Sequence, residues 1–152
     1  MSSVTFAEWT ILSEGTGGVR PGEVAPVRRI ELSSDRLGAV AQAGGRVLGD
    51  ICSPVSGIAT VCPDPLVFAL EAGLPRLTAD GSWIDGGSRW CDLAPIGGEL
   101  LYAVSSVNEV ASRTTSNGRT LVRVVYRTRF TDLTGVPVGT ADGTSLHVGN
   151  AR

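Results

Sequence analysis

The sequence predicts a single α+β domain in which an antiparallel sheet wraps one buried helix. Three observations carry this. Residues 119–131 alternate almost without a break: Val122, Val124, Tyr126 and Phe130 fall on one side, and Arg123, Arg127 and Arg129, with Val125 among them, on the other. Strict period-two alternation marks a strand with one face on a core and one face outward. Turn signals bracket the run, Ser116-Asn117-Gly118 before it and Asp132-Leu133-Thr134-Gly135 after it. Finally, residues 63–73 read Pro-Asp-Pro-Leu-Val-Phe-Ala-Leu-Glu-Ala-Gly. A proline near the start, a continuous apolar run and a closing glycine are the marks of a short helix buried by other structure.

Residues 1–26 carry Gly15, Gly17, Gly18, Pro21, Gly22 and Pro26 and read as a loose arm, with Phe6, Trp9, Ile11 and Leu12 as a patch that docks elsewhere. The domain proper is expected over 27–152. Arg28 to Leu32 is a short strand or an extended lead-in to a helix. Ser33 or Ser34 can cap that helix, Leu37, Val40 and Ala41 share one of its faces, and Gly44-Gly45 ends it. Residues 49–57 form a loop. The buried helix is expected near 64–72, and a polar loop follows from Asp80-Gly81 to Gly86-Gly87. Ser88 to Leu93 opens the sheet. Three long strands follow, at 98–113, 118–131 and 136–148. In the last, Val136, Val138, Leu146 and Val148 put the apolar residues on even positions. One apolar sheet face of this length needs a helix or a second sheet to cover it. A buried helix wrapped by such a meander is the hot-dog arrangement.

Composition narrows the function classes. The chain has 152 residues, enough for one sizeable core, and a net charge of −2. No basic field points to nucleic acid. Hydrophobic residues make up 42% and charged residues 18%, which argues against disorder and for some surface buried against a partner. Every cation is Arg, so a Lys Schiff base is excluded. Cys52, Cys62 and Cys91 form no CxxC pair and stand beside a single His, so no metal site is expected, only reduced and mostly buried thiols. No transmembrane run or leader pattern stands out, so a cytoplasmic location away from the membrane is the default expectation.

The order of elements, with certain residues, resembles the MaoC-like hot-dog family, and in particular its N-terminal dehydratase-like half. The matching pieces are Arg89-Trp90, then Ala94-Pro95-Ile96-Gly97-Gly98-Glu99-Leu100, then Val107-Asn108-Glu109-Val110 and Arg113, Asn117-Gly118, and the turn from Thr131 to Pro137. The likeness runs over roughly residues 28–148. It implies an acyl-thioester ligand, acyl-CoA or acyl-carrier, in a tunnel between paired hot-dog domains, with no cofactor. It implies addition or removal of water across a 2-enoyl/3-hydroxyacyl pair. In that family an Asp-x-Asn-Pro-x-His loop before the buried helix holds the water. Here the loop reads Asp50-Ile51-Cys52-Ser53-Pro54-Val55-Ser56. Asp50 matches the catalytic Asp, Ser56 stands near the His position, and no His occurs.

The candidate residues each carry two readings. Asp50 is a turn residue or a catalytic carboxylate without its His; Gly-Asp and Ser-Pro are ordinary loop chemistry and favour the turn. Glu71 is the solvated end of a helix or an acid/base facing the tunnel. Ser56 and Gly57 would line a substrate site. Arg123 and Arg127, with Arg129, are a solvated stripe or a set that holds phosphate oxygens. Trp83 and Trp90 are core or interface anchors. His147 falls with Gly139, Ala141 and Ser145, opposite Val138, Leu146 and Val148, and is expected to be exposed or at an interface. The leading expectation is a hot-dog subunit that pairs with a catalytic hot-dog subunit as a heterodimer and supports enoyl-thioester hydration. The alternatives are a stand-alone homodimeric dehydratase, cyclase or thioesterase on a polyketide- or steroid-like substrate, and a binding module without chemistry.

Overall fold

The computed structural model describes residues 8–31, 58–59, 61–92 and 100–150. Its elements are β1 (Thr10–Ile11), β2 (Arg28–Glu31), α1 (Pro65–Glu71), β3 (Gly81–Asp92), β4 (Leu100–Thr114), β5 (Thr120–Thr131) and β6 (Pro137–Gly149). One antiparallel sheet runs β1-β4-β5-β6-β3, with β2 also paired to β4. The helix expected after Ser33 and the segment 49–57 lie outside the described residues.

β5 follows its alternation. Val122, Val124, Tyr126, Thr128 and Phe130 are buried, while Arg123, Val125, Arg127 and Arg129 point to the other face. The two hairpins close where the turn residues stand. Gly118 takes φ 80° and Gly135 φ 88°, conformations that cost glycine little. In the second turn Asp132 accepts from the Thr134 hydroxyl at 2.6 Å and from the backbone N–H of Thr134 and Val136 at 2.8 and 3.0 Å. The Thr134 hydroxyl bond is the main reason its carboxyl sits below the usual carboxylate range.

β6 corrects the expected pattern. Its core face is odd: Gly139, Ala141, Gly143, Ser145 and His147 are buried, opposite Phe130, Thr128, Tyr126, Val124 and Val122. Of the expected even positions Val138, at the register shift beside Phe130 and Thr131, is buried, whereas Leu146 and Val148 are half-buried on the outer face and Val136 stands exposed in the turn. The reason is the helix. α1 packs on β5 and β6, and a methyl group at Gly143 would run into the backbone of Leu66 and Pro65. The strand face beneath α1 is therefore made of small residues rather than large apolar ones.

β3 is also longer than expected. It starts at Gly81, and Gly86-Gly87 is a bulge between Asp85 and Ser88, not the end of a loop. Gly87 takes φ 104°, and its N–H donates to Asp85 Oδ1 at 2.8 Å. The described part of the N-terminal arm is tied down rather than loose. Thr10 and Ile11 pair with Ser112 and Ala111, Val24 bridges to Ser106, and Val19 and Ala25 are buried.

α1 is short and fixed at both ends. Asp64 caps it by accepting from the Val67 N–H at 3.2 Å, with Pro65 in the first turn. At the other end Arg28 donates to the Phe68 carbonyl at 3.0 Å and lies 4.1 Å over the Phe68 ring. A cation there complements the helix dipole. Pro65, Leu66 and Ala69 are buried, and Phe68 and Leu70 are partly buried. Two apolar clusters result. Leu66, Ala69, Val107, Val110, Val124 and Tyr126 belong to one, and Ile58, Cys62, Leu101, Phe130, Val138 and Ala141 to the other. Among the described residues no helix is long and apolar enough to cross a membrane.

Candidate functional site

Asp50, Ser56 and Gly57 lie outside the described residues. What can be placed is the chain that follows them. Ile58 and Cys62 are fully buried in the cluster around Phe130 and Val138. Trp90 pins this segment from the sheet, its indole N–H donating to the Cys62 carbonyl at 3.0 Å. Trp90 is thus a core anchor, while Trp83 is 41% exposed on β3. Ile58 and Cys62 thus pack on the sheet at the end where Phe130 and Ala141 lie.

Cys62 is no nucleophile at neutral pH. Burial, helped by the Asp64 carboxylate, pushes its thiol up to about 12. Burial likewise pushes Tyr126 up to about 12, and its hydroxyl donates to the Pro75 carbonyl at 2.7 Å. Cys91 is exposed on β3, and Cys52 lies outside the described residues. Among the described residues no group of three or more His, Cys, Asp or Glu is placed to hold a metal ion.

Glu71 is the last residue of α1 and is exposed. Arg123 and Arg127 are each held by a carboxylate on the outer face. Arg123 donates to Glu109 Oε1 through Nε at 3.1 Å and through its terminal nitrogen at 2.5 Å. Arg127 makes a two-bond fork on Asp142, at 2.8 and 2.9 Å, and this hydrogen bonding raises its pKa further. Arg129 is exposed and reaches Ser106 Oγ at 3.4 Å. The geometry thus separates the arginine stripe, on the outer face, from α1, on the inner face.

His147 is not exposed. It is 4% accessible on the core face of β6, its ring 5.4 Å from that of Trp83 in an edge-on contact. Its Nε2 is buried without a hydrogen-bond partner among the described residues. With Thr16, Leu77, Thr78, Asp80 and Thr120 it lines a cavity of about 270 Å³. It stands six positions along β6 from Ala141. At a rise of about 3.3 Å per residue this is roughly 20 Å. Sequence parity misplaced His147 because the small residues beside it look like an outward face. A second buried polar feature also escaped sequence reading: the Ser105 and Thr128 hydroxyls bond to each other at 2.7 Å inside the sheet's core face.

No protein-family model matches the chain, and no curated protein matches it. Solved structures do. The (R)-hydratase PhaJ1 from Pseudomonas aeruginosa aligns over 87% of this chain and 84% of its own, with TM-score 0.53 and 14% identity. The HadBC (3R)-hydroxyacyl-ACP dehydratase complex from Mycobacterium tuberculosis aligns over 83% of this chain and 96% of its own, with TM-score 0.55 and 17% identity. A MaoC-like dehydratase from Rhodospirillum rubrum aligns over 93% of this chain and 98% of its own, with TM-score 0.52 and 11% identity. The fold is the hot-dog fold, in the described residues an antiparallel sheet packed on a central helix.

Proposed function

We propose that this chain, which has the hot-dog fold found in MaoC-like dehydratases, is a subunit that binds an acyl thioester and supports reversible hydration of an enoyl-thioester together with a catalytic hot-dog partner. The observation that carries the partner is the position of the only histidine. The sequence has a single His, and it stands buried on the core face of β6 rather than in the loop before α1. The loop from Asp50 to Ser56 carries no His of its own, so this reading gives Asp50 no imidazole with which to share a water. A lone carboxylate of ordinary pKa is a weak base for water at neutral pH, and a missing acid–base group costs about 10²–10⁴-fold. In this reading Ser56 and Gly57 line the acyl path. Asp50 shapes its loop, and Glu71, exposed at the end of α1, becomes relevant only if a partner covers it. Arg123 and Arg127 would have to give up carboxylate partners to hold a phosphate, so their first role is to tie the sheet together.

β3 supports the pairing. It spans 12 residues and, among the described strands, bonds only to β6; Trp83 and Ile84 are 41% and 53% exposed on it. A long bare edge is a liability unless it is paired. The same edge would serve a homodimer, which is the second reading.

The experiment is co-purification with the products of neighbouring genes, then an enoyl-CoA hydration assay on the chain alone and on any complex. Hydration by the complex with little or none by the chain alone is the expected result. Robust turnover by the purified chain, lost in Asp50→Ala or Glu71→Ala, would replace this reading with the stand-alone enzyme.

A further inference from the structure

We propose that the cleft beneath the β3 bulge, on the outer face of the sheet, is an anion-binding site with Arg89 as its cation. The inference starts from the partners of the outer-face arginines. Arg123 is held by Glu109, Arg127 by Asp142, Arg113 lies 5.1 Å from the Trp9 ring, and Arg129 reaches Ser106. Arg89 stands directly across from Asp142 in the sheet register, the place where a cross-strand ion pair is expected. Yet both Asp142 oxygens are occupied by the Arg127 fork. Arg89 is left exposed, without a carboxylate partner among the described residues.

That cation borders a cleft of about 390 Å³. This size is within the range of small-molecule sites, roughly 300–1,000 Å³. Val125 and Thr144 line it on the sheet side, and Gly86, Gly87 and Ser88 on the bulge side. The glycines shape it. A methyl group on Gly86 would come within 2.8 Å of Thr144 Cγ2, and Gly87 needs its φ of 104°. Thr144, two positions from Asp142 on the same strand face, adds a hydroxyl that can donate on the side of the sheet where Arg89 stands. Glu109 lines the cleft as well, and only its Oε1 is engaged by Arg123. Asp142 and Arg123 line it too; Glu109 and Asp142 are each paired with an arginine, Arg123 and Arg127, which leaves Arg89 as the unpaired charge of the cleft among the described residues. A guanidinium with a neighbouring hydroxyl suits a phosphate or a carboxylate group. The site lies on the sheet face opposite α1, and it stands or falls separately from the thioester reading.

The test is a titration of the full chain, followed by amide NMR, with inorganic phosphate and, in a second arm, with acetate. Sodium chloride at matched ionic strength is the reference. Saturable shifts of Gly86, Gly87 and Ser88 are expected in at least one arm. Phosphate alone identifies a phosphate ligand, acetate alone a carboxylate ligand, and both together an anion site without that preference. Arg89→Met should weaken binding at least tenfold, and Arg76→Met, at an exposed arginine that does not line the cleft, should not change it. Arg89 is exposed, so the variant should fold, which circular dichroism checks; Thr144→Val gives an independent, smaller loss. Equal shifts with chloride, or binding by Arg89→Met within twofold of the unmodified chain, would overturn the proposal.

Discussion

Gly143→Ala tests the placement of α1 on β6. The added methyl would meet backbone atoms of Leu66 and Pro65, not the flexible end of a side chain. Either the helix lifts or the strand bends. Overpacking of this kind costs about 1–3 kcal/mol, and rigid neighbours favour the upper end. Replacing Gly in a strand returns about 0.5–1 kcal/mol by restricting the unfolded chain. The net loss is about 2 kcal/mol, which for a chain of this size lowers Tm by roughly 4–8 °C. Gly86→Ala is the control, since its methyl would meet a Thr144 side-chain carbon that can rotate away. It should cost less than about 1 kcal/mol. Thermal denaturation followed by circular dichroism reads both. A Gly143→Ala melting point equal to or above that of the unmodified chain would refute the packing of α1 on the odd face of β6.

Three more outcomes are expected. At pH 7 iodoacetamide should label Cys91 and leave Cys62 unmodified in the folded chain, since its thiol titrates only near 12; peptide mass spectrometry separates the two. Arg127→Met should cost about 1–2 kcal/mol in denaturant unfolding, more than an exposed pair, because Asp142 is only 14% accessible and loses both bonds of the fork. Asp132 has its folded-state pKa depressed, so its contribution is present above the ordinary carboxylate pKa and is lost as pH falls through the lowered value. Asp132→Asn should therefore flatten the fall in stability across the acid range, as measured by urea melts at a series of pH values.

The parts of the fold that were legible were those in which local chemistry and tertiary role agree. β5 reads directly because large apolar and charged residues alternate, and both hairpins read because glycine stands where φ is positive. β6 did not read, because its inner face answers to a helix some 75 residues earlier: Gly139, Ala141, Gly143 and Ser145 are small to admit α1, and smallness looks like an outward face. β3 was cut short for a related reason, since Gly86-Gly87 signals a turn as well as a bulge. The arginine stripe was visible, but its partners were not. Asp142 comes opposite Arg127, and Glu109 near Arg123, only through the cross-strand register. Of the candidate site, the missing histidine in the loop was plain from the sequence, while the burial of His147 required the correct parity of β6.

The two borders of the sheet are unlike, and this limits how far it can grow. Along β4 the border is broken into the pair Thr10–Ile11, a single bridge at Val24 and the four residues of β2, with Pro21 and Pro26 between them offering no N–H. Along β3 it is one strand of 12 residues that, among the described strands, bonds only to β6. A two-fold union through β3 would bury the only long template in the described sheet and leave broken borders on both outer sides. Addition would stop after one step. On the pairing proposed above, the described strand lengths suit closing as a pair rather than propagating as a fibre.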